Sequence, residues 1–301
     1  MKTGFIGIIG RPNVGKSTLL NAILGEKIAI TTDKPQTTRN TIRGIYTRLD
    51  DDDYEEGVQM VFIDTPGIHK PKSKLGNFMT DSAVNTFKEV DVILFLVDDK
   101  ITKGPGDRYI LEMIKDIDTP KLLVINKTDK MDIAYFKEIY DSYAEMNVFD
   151  GIFGTSALKN QNVDQLLERI EDFLEDGPMF FPEDMVTDHP ERFIVSEIIR
   201  EKVLLYLEDE VPHGVAIEIE SYSEEPNITR IGAVIYCERK SHKGIIIGKQ
   251  GKKLKGIGKS ARLEIEALLG TKVFLELWVK VKENWRDSDF ALSNFGYKDL
   301  D

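Results

Sequence analysis

The chain has 301 residues, enough for two domains that each bury a core without disulfide or metal support. Its single cysteine, Cys237, excludes an intramolecular disulfide, and four scattered histidines (His69, His189, His213, His242) lack paired metal-ligand spacing, so a reducing cytoplasm is the expected setting. The net charge of −12 is uneven: residues 230–286 carry 14 Lys/Arg against 5 Asp/Glu, so an acidic body bears a basic patch suited to a polyanion.

No apolar run approaches the roughly 18 residues that span a bilayer, and Met1–Ile9 reads as a first strand rather than a signal peptide. The apolar run Phe5–Ile9 leads into Gly10-Arg-Pro-Asn-Val-Gly-Lys-Ser17, and the periodic segment Thr18–Leu24 ends at Gly25. This reads as strand, glycine-rich loop and helix with a glycine C-cap. A G-x-x-x-x-G-K-S loop leaves backbone N–H groups free to surround phosphate oxygens, next to a positive helix N-terminus. Lys16 would then reach the β/γ-phosphates and Ser17 would hold Mg²⁺.

Residues Glu26–Asn40 are polar and broken by Pro35, which predicts a loop. Thr41–Leu49 and Val58–Ile63 read as neighbouring strands joined by a solvated acidic hairpin tip, Asp50–Gly57. Asp64-Thr-Pro-Gly67 follows the second strand; a carboxylate at that tip suits contact with Mg²⁺ through a bound water, and the Gly67 N–H can meet a γ-phosphate. Buried-strand runs recur at Val92–Val97, Leu122–Ile125 and Gly151–Thr155, each separated by a helix-length segment. Strands alternating with helices predict an α/β domain with a mostly parallel sheet covered on both faces.

Asn126-Lys-Thr-Asp129 begins where the strand Leu122–Ile125 ends. One ionised carboxylate accepts from both N1–H and the 2-amino group of guanine, whereas adenine would leave it unpaired, so Asp129 should select guanine. Asn126 is expected at the N7 edge, the Lys127 stem over the ring, and Thr155-Ser156-Ala157 supplies a backbone N–H for the guanine O6. The helix Asn162–Leu174, with Val163, Leu166, Leu167, Ile170 and Leu174 on one stripe, closes a domain over residues 1–175.

Residues 176–190, acidic and rich in proline, read as a linker whose Phe180-Phe181 pair docks on one domain. The second domain, 191–301, is smaller and α+β. It comprises an amphipathic helix (Phe193, Val195, Ile198, Ile199, Leu204, Leu205), strands Val215–Ser221 and Ile228–Cys237, a glycine-broken basic helical pair, the strand Lys272–Val281 and a polar tail. The break is Gly248-Lys-Gln-Gly251, and between Arg239 and Arg262 there are nine Lys/Arg and no acid. Lys252, Lys255, Lys259 and Arg262 form one helical stripe, and Leu254, Ile257, Ala261, Ile265 and Leu268 another. Glycines permit close approach to a sugar-phosphate backbone and lysines neutralise it, so Gly248, Lys249, Gln250, Gly251, Lys252 and Lys253 are candidate RNA contacts.

The four nucleotide motifs, in this order at these strand ends, resemble the translation-factor-like P-loop GTPases over roughly residues 4–175. The resemblance implies that Gly10, Asn13, Val14, Gly15, Lys16, Ser17, Thr18, Asn126, Lys127, Asp129, Ser156 and Ala157 hold GTP or GDP. Ser17 and Thr38 would ligate Mg²⁺, with Asp64 behind them. Lys16, Thr38 and Gly67 would serve hydrolysis. Thr38 is preferred to Thr37 because it directly precedes Arg39, as in relatives carrying T-T-R. Segments Ile30–Asn40 and Gly67–Thr80 would be nucleotide-sensitive switches. Ile68 stands where many relatives carry a water-orienting glutamine, which implies slow intrinsic turnover. His69 follows, but a lone loop histidine is ordinarily solvated. Asn13, in the variant G-x-P-N-x-G-K-S, resembles an asparagine that ligates K⁺ in some GTPases.

The second half resembles a KH domain of α-β-β-α-α-β order. Joined to P-N-V-G-K-S, Q-T-T-R-N, D-T-P-G-I-H and N-K-T-D, it makes the whole chain similar to the Era family of bacterial GTPases. That resemblance implies binding of small-subunit rRNA near its 3′ end, a role in assembly of the small ribosomal subunit, and peripheral membrane contact. The other reading is a GTP-dependent switch whose basic domain binds a partner protein or an anionic membrane surface. The G-x-x-G loop separates the two, because backbone clamping of RNA needs it and lipid attraction does not.

Overall fold

The computed structural model describes residues 1–34, 36–50, 56–68, 71, 73–87, 89–98, 104–208 and 211–297. The expectations for His69 and for the hairpin tip at 51–55 fall outside these. The chain divides into two compact units, one of Met1–Ala29, Thr38–Pro71 and Met79–Asp188, the other of Ile30–Thr37, Lys72–Phe78 and His189–Asp301.

In the first unit the chain runs β1 (Lys2–Gly10), α1 (Lys16–Leu24), β2 (Ile42–Arg48), β3 (Val58–Asp64), α2 (Lys74–Thr86, whose first turns belong to the second unit), β4 (Val92–Val97), α3 (Pro105–Ile114), β5 (Lys121–Ile125), α4 (Ile133–Ala144), β6 (Gly151–Gly154), α5 (Val163–Glu171) and β7 (Glu175–Asp176). The sheet order is β2-β3-β1-β4-β5-β6. All pairs along it are parallel except β2 with β3. Its central strands are apolar on both faces because each face carries helices: Ile6, Ile8, Leu94 and Val124 pack with Leu19, Leu20, Leu166 and Ile170 of α1 and α5, while Ile9, Phe95 and Ile125 pack with Ile110, Ile114, Ile139 and Tyr143 of α3 and α4. This geometry brings the loops after β1, β3, β5 and β6 to one edge of the sheet, the carboxyl edge where α/β folds bind ligands.

Two residues expected at the domain end and in the linker form β7 instead, antiparallel to Lys2 and Thr3. β4 begins opposite Ile6, so the start of β1 has an open side that β7 fills. Beyond it, the buried Gln59 holds the linker: its Oε1 accepts from the Phe180 and Phe181 N–H groups (2.7 and 3.0 Å), and its Nε2 donates to the Phe181 carbonyl (2.9 Å) and to Thr47 Oγ1 (3.0 Å). Phe180 lies 5.0 Å from the Phe5 ring. The Val186 carbonyl then accepts from Ile45 N–H, which covers the edge of β2.

The second unit contains α6 (Glu191–Tyr206), β8 (Ala216–Glu225), β9 (Ile228–Cys237), α7 (Lys240–Ile247), α8 (Lys252–Leu269), β10 (Lys272–Val281) and a short α9 (Asp289–Asn294). Its sheet order is β10-β9-β8, with β10 parallel and β8 antiparallel to β9. Ile198, Val203, Ile217, Ile235, Ile257, Ala261 and Ile265 share its core. Leu205, expected on the apolar stripe, is 53 % exposed, and Leu268 is 40 % exposed. Both sit at the last turn of their helix, where the stripe has rotated off the core.

The tail is not simply polar. Trp285 is fully buried, donates from Nε1 to the Gly214 carbonyl (2.9 Å), and packs on Phe295 and Tyr297. Thr31 and Thr37 also pack within this unit. Buried Arg200 pairs with Glu197 and donates to the Thr37 carbonyl, and Glu201 accepts from the Thr31 N–H (3.0 Å). Among the described residues, no helix is long and apolar enough to cross a membrane.

Candidate nucleotide site and nucleic-acid interface

The glycine-rich loop turns from β1 into α1. Gly15 has φ 103°, and a Cβ there would come within 2.2 Å of Asn126 Nδ2, so only glycine satisfies both backbone and space. The Lys16 ammonium is buried and donates to the Arg11 carbonyl (3.2 Å), folded back over its own loop. Burial lowers its pKa, against the opposing charge of Asp64.

Three oxygens meet at the start of α1. Ser17 Oγ donates to Asp64 Oδ2 (2.6 Å) and lies 2.8 Å from Thr38 Oγ1. Thr37 is placed elsewhere, its Oγ1 on Thr32 Oγ1 (2.6 Å) and the Lys34 carbonyl (2.7 Å). Asp64 is fully buried, and its Oδ1 has no hydrogen-bond partner among the described residues. Burial pushes its pKa up to about 6, opposed by the Lys16 charge and the Ser17 hydroxyl. Two hydroxyls and an unsatisfied buried carboxylate oxygen fit a hard, oxygen-seeking cation such as Mg²⁺, which keeps several of its waters.

The segment after Asp64 is fixed to the loop. Thr65 Oγ1 donates to the Ile8 carbonyl (2.8 Å) and the Ile68 N–H to the Gly10 carbonyl (3.2 Å); a Cβ on Gly67 would stand 2.8 Å from Pro12. Ile68 is 1 % exposed and belongs to the core cluster of α3 and α4, so no side chain at that position faces an attacking water.

At the base side, Asp129 Oδ1 accepts from Ser156 Oγ (2.5 Å), which orients the carboxylate expected to read guanine. Lys127 Nζ donates to the Asn13 carbonyl (2.7 Å). Asn126 is held by three protein groups. Its Nδ2 donates to the Val14 carbonyl (3.0 Å), and its Oδ1 accepts from the Ala157 N–H (3.1 Å) and Thr155 Oγ1 (3.3 Å). At 2 % exposed this amide finds partners inside the protein and ties three loops together, and its NH2 group carries a second N–H besides the one given to Val14. The Ala157 N–H, one of those in Thr155-Ser156-Ala157, is engaged in the same tie. Sequence reasoning passed over Arg11, Asp98 and Asp107, which form ion pairs behind the loop, because isolated charges carry no motif.

In the second unit, Gly248 has φ 72° and ψ 175°, a conformation that excludes L side chains, and a Cβ there would stand 2.7 Å from Lys253 Cβ. Lys249, Gln250 and Lys252 are exposed, and Lys253 is half-buried. Gly251, Leu254, Lys255, Gly258, Lys259 and Arg262 of the loop and α8 face Leu275 and Leu277 of β10 across a groove of about 460 Å³. The groove has an apolar floor and a cationic rim, the combination that accepts unstacked bases beside a phosphate chain.

Comparison with known proteins agrees with this geometry. Residues 5–127 match the family model described as 50S ribosome-binding GTPase, and residues 210–286 match the KH domain model. The chain is 57 % identical over 299 residues to GTPase Era of Alkaliphilus metalliredigens and 56 % identical over 303 residues to GTPase Era of Clostridioides difficile, with 99 % of each chain covered. Among solved structures, a point variant of Aquifex aeolicus Era bound to GDP·AlF₄⁻ superposes with a TM-score of 0.93 at 40 % identity over 99 % of both chains. Era in complex with MgGDPNP and nucleotides 1506–1542 of 16S ribosomal RNA gives the same score, identity and coverage. A P-loop unit on a mostly parallel sheet and a KH unit, matched along their full length, place the chain in the Era family of GTPases.

Proposed function

We propose that the chain binds and slowly hydrolyses GTP, and uses its nucleotide state to time binding of the 3′ end of small-subunit rRNA during assembly of the small ribosomal subunit. The observation that carries this reading is one chain holding both a Ser17–Thr38–Asp64 oxygen cluster beside Lys16 and an acid-free Gly248–Gly251 loop beside an apolar groove. Its working parts are a GTP-binding domain (1–175), a linker (176–190) and an RNA-binding domain (191–301).

In the nucleotide site, the backbone of Gly10, Asn13, Val14 and Gly15 with Lys16 and Thr18 holds the phosphates. Lys16 leaves its loop carbonyls for the β/γ-phosphates, so a buried ammonium exchanges weak acceptors for anionic ones. Ser17 and Thr38 are the residues to hold Mg²⁺ directly and Asp64 to hold its waters; the ion supplies charge compensation on the phosphates. Gly67 N–H fixes the γ-phosphate, Asp129 with Ser156 reads guanine, and Lys127 covers its ring. With Ile68 buried, the chain offers no glutamine to orient water, so hydrolysis without a partner should run at about 10⁻⁴ to 10⁻² s⁻¹. Asn13 at the loop crest is the residue to ligate K⁺. Hydrolysis should then be faster in K⁺ than in Na⁺ at equal ionic strength, and Asn13→Ala should erase the difference; equal rates in the parent would sink the K⁺ role alone.

Coupling to RNA has a short covalent route. Thr38 sits on Ser17 while its neighbour Thr37 gives its carbonyl to Arg200 of α6. The protein is cytoplasmic in this reading, and its basic face is also the surface that would meet an anionic membrane peripherally. Crosslinking in cells followed by sequencing of bound RNA tests the proposal. Enrichment at the 3′ end of small-subunit rRNA is expected. Recovery of no RNA above background would move the lipid or protein reading ahead.

A further inference from the structure

The phosphate loop and the base-reading loop are joined by a closed set of four charges. Arg11, directly after Gly10, donates from Nη2 to Asp98 Oδ1 (2.8 Å) and from Nε to Asp107 Oδ1 (2.5 Å). Asp98 directly follows β4 and Asp107 lies in the first turn of α3; both are buried. The second oxygen of Asp98 faces Lys127 Nζ at 3.4 Å, the same ammonium that donates to the Asn13 carbonyl at 2.7 Å. The Arg11 stem crosses Gly106, where a Cβ would stand 2.8 Å from Arg11 Cδ, so α3 is built to admit it. Two cations and two carboxylates thus balance in a partly dry site, where an unbalanced member would be costly. Burial raises the pKa of Asp107 and the Arg11 charge opposes that rise.

We propose that Asp98 is a positioning residue for the nucleotide: by holding Arg11 and Lys127 at once, it presets the separation between the phosphate and base subsites before ligand arrives, with Asp107 as its support through Arg11. This deepens the nucleotide-site reading above and rests on it. The carboxylate is required because it must accept on both sides. An asparagine of the same shape presents one acceptor oxygen and one NH2 group, and that NH2 group would point at a cation whichever way the amide is turned. A site with preset spacing gains most for a ligand that spans both subsites and little for either fragment alone.

The fragments therefore make the test. In the full chain, displacement of a fluorescent GDP by unlabelled GDP, guanosine and inorganic pyrophosphate should be compared between the parent and Asp98→Asn. GDP affinity should fall about tenfold, the scale of losing one charge-assisted contact, while guanosine and pyrophosphate each change less than about twofold. Arg11→Lys, which keeps the charge but loses the fork, should show the same pattern at about threefold and serves should Asp98→Asn fail to fold. Unchanged GDP affinity in the variants would overturn the proposal, and so would equal weakening of all three ligands, which is the signature of a general structural role. Failure of the parent itself to bind GDP would instead overturn the site assignment.

Discussion

Lowering the pH from 7 to 5 should weaken Mg²⁺-dependent nucleotide binding through one carboxyl group. Asp64 is fully buried, with Oδ2 on the Ser17 hydroxyl and Oδ1 unpartnered among the described residues, and burial pushes its pKa up to about 6. Only the ionised form opposes a cation and accepts from its bound waters. With a midpoint near 6, the ionised fraction falls from about nine-tenths at pH 7 to about one-tenth at pH 5, so affinity should drop about tenfold, or about 1.4 kcal/mol. The assay is a fluorescent-GDP titration from pH 5 to 8 at constant ionic strength, with Mg²⁺ and with chelator, run on the parent and on Asp64→Asn so that the nucleotide's own ionisation, common to both proteins, cancels. Asp64→Asn should bind more weakly at pH 7 and show a flatter pH dependence than the parent.

The same shift has an opposite sign for stability. A carboxyl whose folded pKa exceeds its unfolded value binds protons more tightly when folded, so its contribution is most favourable below pH 4 and is lost as pH rises through 6, by up to about 3 kcal/mol. Asp64→Asn should therefore raise the melting temperature of the ligand-free protein at pH 7. Coincident pH profiles for parent and variant, with no change in melting, would refute this account of Asp64.

Three further outcomes follow from other contacts. Asp129→Asn should weaken GTP and favour xanthosine triphosphate in competition binding, since an amide can donate to the carbonyl that replaces the guanine 2-amino group. Trp285→Ala should cost about 3–5 kcal/mol in denaturant unfolding of the second unit, because a fully buried ring is removed and the Gly214 carbonyl loses its donor. Gln59→Leu should leave the Phe180 and Phe181 backbone groups unpaired, costing about 2–3 kcal/mol and speeding limited proteolysis between residues 177 and 188.

The parts of the fold set by local periodicity were legible in the sequence. Strand Lys272–Val281 and the helix stripe Val163–Ile170 follow from alternation and 3.6-residue spacing alone. The candidate phosphate loop was legible as a motif because a phosphate cradle demands glycine, lysine and hydroxyl at fixed spacing, and the fold draws Ser17, Thr38 and Asp64 together from three segments. What was not legible depends on long-range partners. Gln59 looks like an ordinary strand residue until the linker returns 121 residues later to be bound by it. Arg200, Glu197 and Glu201 look like a solvated helix face, yet all three are buried: Arg200 pairs with Glu197 and donates to the Thr37 carbonyl, and Glu201 accepts from the Thr31 N–H. Asn126 has a second role that motif reading does not show, since its side chain also ties Val14, Thr155 and Ala157 together.

The most direct measurement is a filter-binding titration of a single-stranded fragment from the 3′ end of small-subunit rRNA, with a GTP analogue or GDP, at several KCl concentrations. The parent should bind more tightly with the GTP analogue, and log affinity should fall with log salt by about 0.7 for each phosphate neutralised. Joint replacement of Lys249→Asp and Gln250→Asp puts two carboxylates where phosphates must approach and leaves Gly248, Gly251 and the buried face of α8 intact. The doubly substituted protein should bind more weakly with a shallower salt slope while GTP affinity persists. An affinity and slope equal to the parent's, or no difference between the two nucleotide states, would contradict a nucleotide-timed RNA clamp in this chain.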